Sequence, residues 1–283
     1  MGNHYTGNSD ILHSFESYLA EKGRSVNTVK TYSNVLQSFF NWLGNKGNLP
    51  NEFRKQDVQL YINHLEKEQR SFSTLKKVYN TINTFAKFIN RTDITQDIQF
   101  LETETEQNYP EFLSKEEIEK LLYNVEEDGS KRNTAITHML LKTGIRVSEL
   151  CSLNKTHIEL NDKTQTGQVV VRNKLLDNTR TIPLQRSLYH HLTVYIDSRN
   201  DNEEALFISN YQQRISSRTV QHMLKQYGVY PHKLRHTYCY GLIGKGLDLS
   251  IVAQLAGHSD IYVTKQYLKL RSDLEDESNK KSG

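Results

Sequence analysis

The hydrophobic periodicity of the chain breaks at Asp93 and does not resume until after Tyr109, and inside that gap stands the run Glu102-Thr-Glu-Thr-Glu106. Such a run has little apolar surface to bury and its like charges repel, so it reads as an extended connector. A chain divided in this way folds as two units. Its 283 residues leave enough on each side of the gap for a core of ordinary size. The expected boundaries are a helical unit over 1–92, an acidic linker over 93–110, and a second unit with a C-terminal tail over 111–283.

Charge follows the same division. Residues 1–100 carry 12 Lys/Arg against 9 Asp/Glu, residues 101–128 carry 2 against 10, and residues 129–267 carry 18 against 10. The net charge of +3 therefore hides a basic body behind an acidic connector. A phosphate backbone is drawn to the first and repelled by the second. No apolar run approaches the roughly 18 residues that a membrane span needs. The start, MGNHYTGNSD, has neither a basic nor an apolar region of the kind that directs export. Cys151 and Cys239 stand far apart with no C-x-x-C, which argues against zinc knuckles and disulfide frameworks. A cytoplasmic protein with reduced thiols and no membrane contact is expected.

The first hundred residues carry four apolar stripes at helical spacing. They run through Ile11, Leu12, Phe15, Tyr18 and Leu19 after a cap at Ser9 or Asp10; through Val29 to Leu43; through Val58 to Leu65; and through Leu75 to Phe88. These stripes are core. On the opposite faces, Lys30, Lys76, Lys77, Lys87 and Arg91 are candidates for a surface that binds DNA, although any one of them alone reads equally well as part of a solvated face. Beyond the connector, Ser114 and Glu117 form a capping box for a helix through Ile118, Leu121 and Leu122. A core helix over Arg132 to Lys142 follows and closes at Thr143-Gly144. The segments HIEL, QVVVRN and TRTIPL are short and rich in β-branched residues, so they predict a small antiparallel sheet. Lys174 sits where the hairpin loop leaves its strand. The fold class expected is mainly α: an all-α four-helix unit, then a mixed α+β unit with a small antiparallel sheet.

The chemistry concentrates between Pro231 and Leu270. His232 and Arg235 lie three apart on a helix that Pro231 opens, so one phosphate is within reach of both. An arginine offers two phosphate oxygens a planar fork, and a histidine adds a donor or accepts a proton. A lone His-x-x-Arg is common in surfaces and cores. What sets this one apart is Arg146, placed at a helix start just past a glycine turn, where its guanidinium and free backbone N–H groups can meet the same anion. His258 stands in the turn between two further helices, and Tyr267 follows it by nine residues. A tyrosine hydroxyl attacks at neutral pH only when its phosphate target is clamped and polarised. His232 and His236 stand at i and i+4, a spacing known from zinc helices. With Arg235 between them and no acidic partner, a metal site is not expected there, and His236 is read as structural.

The motifs TGIRVSEL, a strand lysine in VVVRNKLLDNTRTIPL, PHKLRHT, LAGHSD and a tyrosine nine residues past that histidine resemble, in this order, the tyrosine recombinases, or phage integrase family. The resemblance covers about residues 110–270 by motif, and the four-helix unit is similar to the family's core-binding domain. It implies a C-shaped two-domain clamp on duplex DNA. It also implies roles: Tyr267 attacks the scissile phosphate to give a 3′-phosphotyrosyl link, while Arg146 and Arg235 clamp the non-bridging oxygens. His232 acts as hydrogen-bond partner and proton acceptor, His258 as a donor to the phosphate, and Lys174 as the acid for the leaving 5′-oxygen. The hairpin reads Asn173-Lys174-Leu175 where the family often has Gly-Lys-Gly. No cofactor, metal or ATP is implied. The implied partners are paired inverted core sites in double-stranded DNA, a homotetramer on DNA whose tails dock on neighbouring subunits, and accessory DNA sites. The outcome implied is strand exchange through a four-way junction by a simple two-domain enzyme, similar to Xer recombinases or to transposon-encoded cointegrate resolvases. A type IB topoisomerase-like enzyme and a non-catalytic DNA-binding regulator are the alternatives.

Overall fold

The computed structural model describes residues 8–47, 53–101, 110–173, 178–258 and 261–268. Two compact units divide it, Met1–Asn108 and Tyr109–Gly283.

In the first unit four helices follow one another: α1 (Asn8–Glu21), α2 (Val26–Gly44), α3 (Lys55–Lys67) and α4 (Phe72–Phe88). Short polar side chains start two of them, since Ser25 accepts from the Thr28 backbone N–H and Ser71 from that of Thr74. Ser9 and Asp10, expected as the cap of the first helix, lie within its first turn. The stripes meet in a core of fully buried phenylalanines, in which Phe85 lies edge-on to Phe15 at 5.3 Å and Phe39 edge-on to Phe53 at 5.1 Å. Edge-to-face contacts of this kind add to what area burial alone provides.

The expected linker begins too early. A 3₁₀ turn, Thr92–Thr95, follows α4, and Ile94 and Ile98 are buried in the same core. Tyr79 donates to the Thr95 carbonyl at 3.0 Å, the Gln59 amide pairs with the backbone of Gln99, and the Leu101 N–H donates to Glu66 at 2.9 Å. Residues 93–101 therefore belong to the first unit. The polar residues that break the helical pattern are spent on hydrogen bonds to α3 and α4 while two isoleucines fill the gap. The Glu102–Glu106 run lies outside the described residues.

In the second unit Ser114 and Glu117 form the capping box of α5 (Lys115–Glu127). Helix α6 (Lys131–Thr143) is buried almost throughout and stops at Gly144, whose φ of 61° suits glycine. A Cβ there would also stand 2.2 Å from the ring of Tyr238. Then come α7 (Val147–Ser152), a three-stranded antiparallel sheet in the order β1 (Ile158–Asn161), β2 (Thr166–Asn173), β3 (Asn178–Leu184), and α8 (Arg186–Asp197). The register pairs Val169 with Ile182 and Val171 with Arg180. Val169, Val171 and Ile182 join Ile136, Met139 and Leu140 of α6 and Leu188 and Leu192 of α8 in the main core. Helices α9 (Ser217–Lys225), α10 (Pro231–Gly244) and α11 (Leu249–Ala256) follow, and residues 261–268 are helical. Cys239, Ile243, Val252, Ala256 and Tyr267 form a second, much smaller apolar cluster between these last helices. No helix among the described residues is long and apolar enough to cross a membrane.

Candidate active site

Glu149 organises the site. It is 8% exposed, at the third position of α7, and its carboxylate takes two hydrogen bonds from the Arg180 guanidinium, at 2.9 and 2.8 Å. It also accepts from the backbone N–H of Arg146 at 2.7 Å and from the Arg146 guanidinium at 3.3 Å. Burial alone would raise its pKa, but these bonds outweigh burial and hold the carboxyl below its ordinary range. The two arginines reach on from this anchor to the end of α11. Arg180 donates to the Leu255 carbonyl at 2.9 Å, and Arg146 donates to that of Gly257 at 2.8 Å. Gly257 has a φ of 69°, which strains other residues, and a Cβ there would displace the Arg180 guanidinium, 2.7 Å away, so the turn that carries His258 favours glycine.

Helix α10 supplies the opposite wall. Arg235 is 5% exposed and donates to the carbonyl of Gly144 at 2.6 Å, while its second terminal nitrogen, also buried, has no hydrogen-bond partner. Leaving an N–H of a charged group unpaired is costly, and the nearest remedy is an acceptor oxygen brought by a ligand. Burial and the neighbouring Arg146 both lower the Arg235 pKa. His232, one turn before Arg235, and His236, the residue after it, stand with ring centres 6.4 Å apart.

Tyr267 enters from helix 261–268. It is 1% exposed, and its hydroxyl shares a hydrogen bond of 2.6 Å with Nδ1 of His236. Burial, with the nearby Cys239 thiol, raises the tyrosine pKa, and the charge of Arg235 works against them. His258 stacks parallel to the Tyr267 ring at 6.4 Å and shares a hydrogen bond of 2.8 Å between Nδ1 and the hydroxyl of Thr264. Burial, then the positive charges of Arg235 and Arg146, push His258 down to about 4, and burial with His232 and Arg235 does the same to His236. His232 is lowered for like reasons. The imidazoles are thus neutral near pH 7, and the fixed positive charge resides in the guanidiniums.

Five of the six residues singled out in the sequence, Arg146, His232, Arg235, His258 and Tyr267, come together here although the first and last are 121 positions apart. Lys174 lies outside the described residues. The sequence reading passed over Glu149 and took His236 as structural. The E of TGIRVSEL was the available signal for the first, whereas nothing in the sequence alone shows that His236 and not His232 touches Tyr267. Among the candidate surface cations, Lys30, Lys76, Lys77 and Lys87 are exposed, with Lys76 over the ring of Phe72 at 4.8 Å. Arg91 is paired with Asp93 at 3.1 and 3.2 Å, which offsets its charge.

A family model described as Phage integrase family matches residues 111–273, more than half of the chain. The chain belongs to that family. It is a tyrosine recombinase, an enzyme that transfers DNA strands. A second model, Phage integrase, N-terminal SAM-like domain, matches residues 12–93. The recombinase is 28% identical to Tyrosine recombinase XerA of Thermococcus kodakarensis over 93% of this chain and 91% of that protein. It is also 28% identical to the TnP I resolvase of Bacillus thuringiensis over 94% of this chain and 99% of that one. Among solved structures, the XerH site-specific recombinase bound to palindromic difH substrate superposes with a TM-score of 0.74, covering 93% of this chain and 84% of that one; at 17% identity this likeness is one of fold.

Proposed function

We propose that this recombinase cleaves duplex DNA with Tyr267 and rejoins it through a 3′-phosphotyrosyl intermediate, by the following division of labour. The Tyr267 oxygen attacks phosphorus as its proton passes to His236, whose Nδ1 is already at 2.6 Å in the neutral form that accepts it. A P–O bond to tyrosine forms, the P–O5′ bond breaks, and the 5′-oxygen takes a proton from an acid, for which Lys174 remains the candidate. Arg146 and Arg235 meet the non-bridging oxygens as charge grows on them, with the unpartnered nitrogen of Arg235 supplying a preset donor. His232 and the Nε2 of His258 add donors to the same phosphate. Religation by the freed 5′-hydroxyl reverses each step, so bond energy is conserved and no ATP is used. Assigning the proton to His236 departs from the sequence expectation, which gave it to His232.

The observation that carries this reading is the tyrosine hydroxyl bonded to a neutral imidazole beside two phosphate-ready guanidiniums. The two units are read as a clamp on paired inverted core sites, acting as a tetramer on cytoplasmic DNA. The likeness to a transposon resolvase over almost its whole length favours cointegrate resolution or integration of a mobile element, and the likeness to Xer proteins favours resolution of chromosome dimers as the second reading. The test is to incubate the protein with random-sequence duplexes, denature, and sequence what stays covalently attached. Recovery of one inverted-repeat sequence supports a recombinase. Covalent capture with no sequence preference points to a relaxing enzyme, and absence of any adduct refutes the catalytic reading.

A further inference from the structure

A second cluster of reactive side chains stands on helices that the recombination chemistry does not use. Glu126 near the end of α5, His138 in α6 and His191 in α8 each present one ligand atom within 4.8 Å of the other two, the one such grouping among the described residues. Nε2 of His138 lies 3.1 Å from Oε1 of Glu126, and Nε2 of His191 lies 3.6 Å from the same oxygen. The two imidazole rings lie with centres 4.0 Å apart.

Two histidines thus converge through Nε2 on one oxygen of the same carboxylate, an arrangement that a shared ion would hold as well as hydrogen bonds do. His138 is 3% exposed and turns its Nε2 toward Glu126, so the nitrogen that an ion would take is already directed into the cluster.

We propose that Glu126, His138 and His191 bind a divalent transition ion, with Zn²⁺ as the representative, in a three-ligand N₂O site whose remaining position is open to water beside Glu126. Metal–ligand bonds of about 2.0–2.2 Å in a tetrahedron place ligand atoms about 3.3–3.6 Å apart. The two separations to Glu126, 3.1 and 3.6 Å, need only a small adjustment to meet this, and the two histidine ligand atoms, within 4.8 Å of each other, close to the same spacing as the ion binds. Two imidazoles and one carboxylate suit zinc, nickel or copper better than the oxygen-seeking magnesium or calcium. The three ligands come from three helices, so the ion ties α5 and α8 to the buried helix α6, which leads through Gly144 to Arg146. Its effect is on the stability of the arginine frame and not on the chemical step.

The test uses the full chain free of any histidine tag, stripped with chelator and desalted. Titration with Co²⁺ should give one ion per chain with the intense visible absorption of a low-coordinate site, Zn²⁺ should abolish that absorption, and either ion should raise the melting temperature. His191→Gln and Glu126→Gln should each weaken binding at least about 10-fold, since loss of even an outer-shell partner does as much. Glu126 is an exposed side chain, so its variant separates ligation from misfolding, and unchanged far-ultraviolet circular dichroism checks both. A Co²⁺ signal that persists in both variants would place the metal elsewhere, with His232 and His236 the first suspects. That result, or no stoichiometric binding at micromolar metal, overturns the proposal.

Discussion

Replacing Glu149 by leucine removes the one carboxylate that holds Arg146 and Arg180 together. The side chains of Glu149 and Arg180 are 9% and 8% exposed, so the guanidinium left behind in Glu149→Leu is a buried charge with the Leu255 carbonyl as its acceptor. Breaking a buried pair from one side costs about 3–5 kcal/mol. For a domain of this size each kcal/mol lowers the melting temperature by about 2–4 °C, so a fall of about 6–20 °C is expected for the second unit. Replacing both partners by apolar residues of similar volume is often neutral or better, so Glu149→Leu with Arg180→Met should recover most of the loss. Cleavage should not recover with it. Arg146 has lost both its backbone and its guanidinium bond to residue 149, and misplacing a phosphate ligand by about 1 Å costs on the order of 100-fold. Urea unfolding followed by circular dichroism measures the stability, with covalent adduct formation as the parallel readout. The single tryptophan, Trp42, belongs to the first unit, so its fluorescence is an internal control that should not shift. Additive losses in the double variant, or a double variant that cleaves like wild type, would refute the argument that Glu149 works by balancing one arginine and aiming the other.

Tyr267→Phe should still shift target DNA in a gel yet form no adduct stable to detergent, and an adduct there would move the role to another tyrosine, Tyr262 first. His236→Gln should slow cleavage and flatten its pH dependence more than His232→Gln does; the reverse order would restore the proton to His232. Because His236 and His258 are held near 4, below their ordinary 6.5, by burial and by Arg235, with Arg146 and Arg180 adding to it at His258, both bind protons more readily unfolded. Their contribution to stability is complete above pH 6.5 and is lost as pH falls toward 4, a slope that His258→Asn should reduce in acid denaturation. Lys174→Ala should be slowed about 10²–10⁴-fold on ordinary DNA and close to wild type when sulfur replaces the bridging 5′-oxygen, because a thiolate leaves without a proton. Equal impairment on both substrates removes the lysine from the acid role.

The elements that could be read from sequence are those whose signal is local. The capping box at Ser114 and Glu117, the left-handed stop at Gly144, the start of α10 at Pro231 and the four apolar stripes each depend on residues a few positions apart. Arg146 stands at a helix start, as its local sequence predicts, and the reading of it as a phosphate ligand rests on that position and on motif order. What escaped was non-local. Glu149 and Arg180 are 31 positions apart, as are His236 and Tyr267, and neither pairing leaves a periodic trace. The isoleucines at 94 and 98 fell in a polar stretch whose hydrogen bonds to Tyr79 and Gln59 come from helices formed earlier in the chain. Glu126, His138 and His191 match no ligand-spacing motif because three separate helices bring them together.

The seat of Tyr267 is the small apolar cluster of Cys239, Ile243, Val252 and Ala256, separate from the main core that carries α6 and the sheet. Opening a cluster of this size costs far less than unfolding the unit around it, so it forms its own step on the ladder of local openings. Tyr267, 1% exposed in that cluster, is reached as the cluster opens, and the turn after α11 is held by the reach of Arg146 and Arg180 to the carbonyls of Gly257 and Leu255. On the proposed reading, a phosphate that takes up the Arg146 guanidinium competes with its bond to Gly257, so the substrate itself would favour the opening that its cleavage needs.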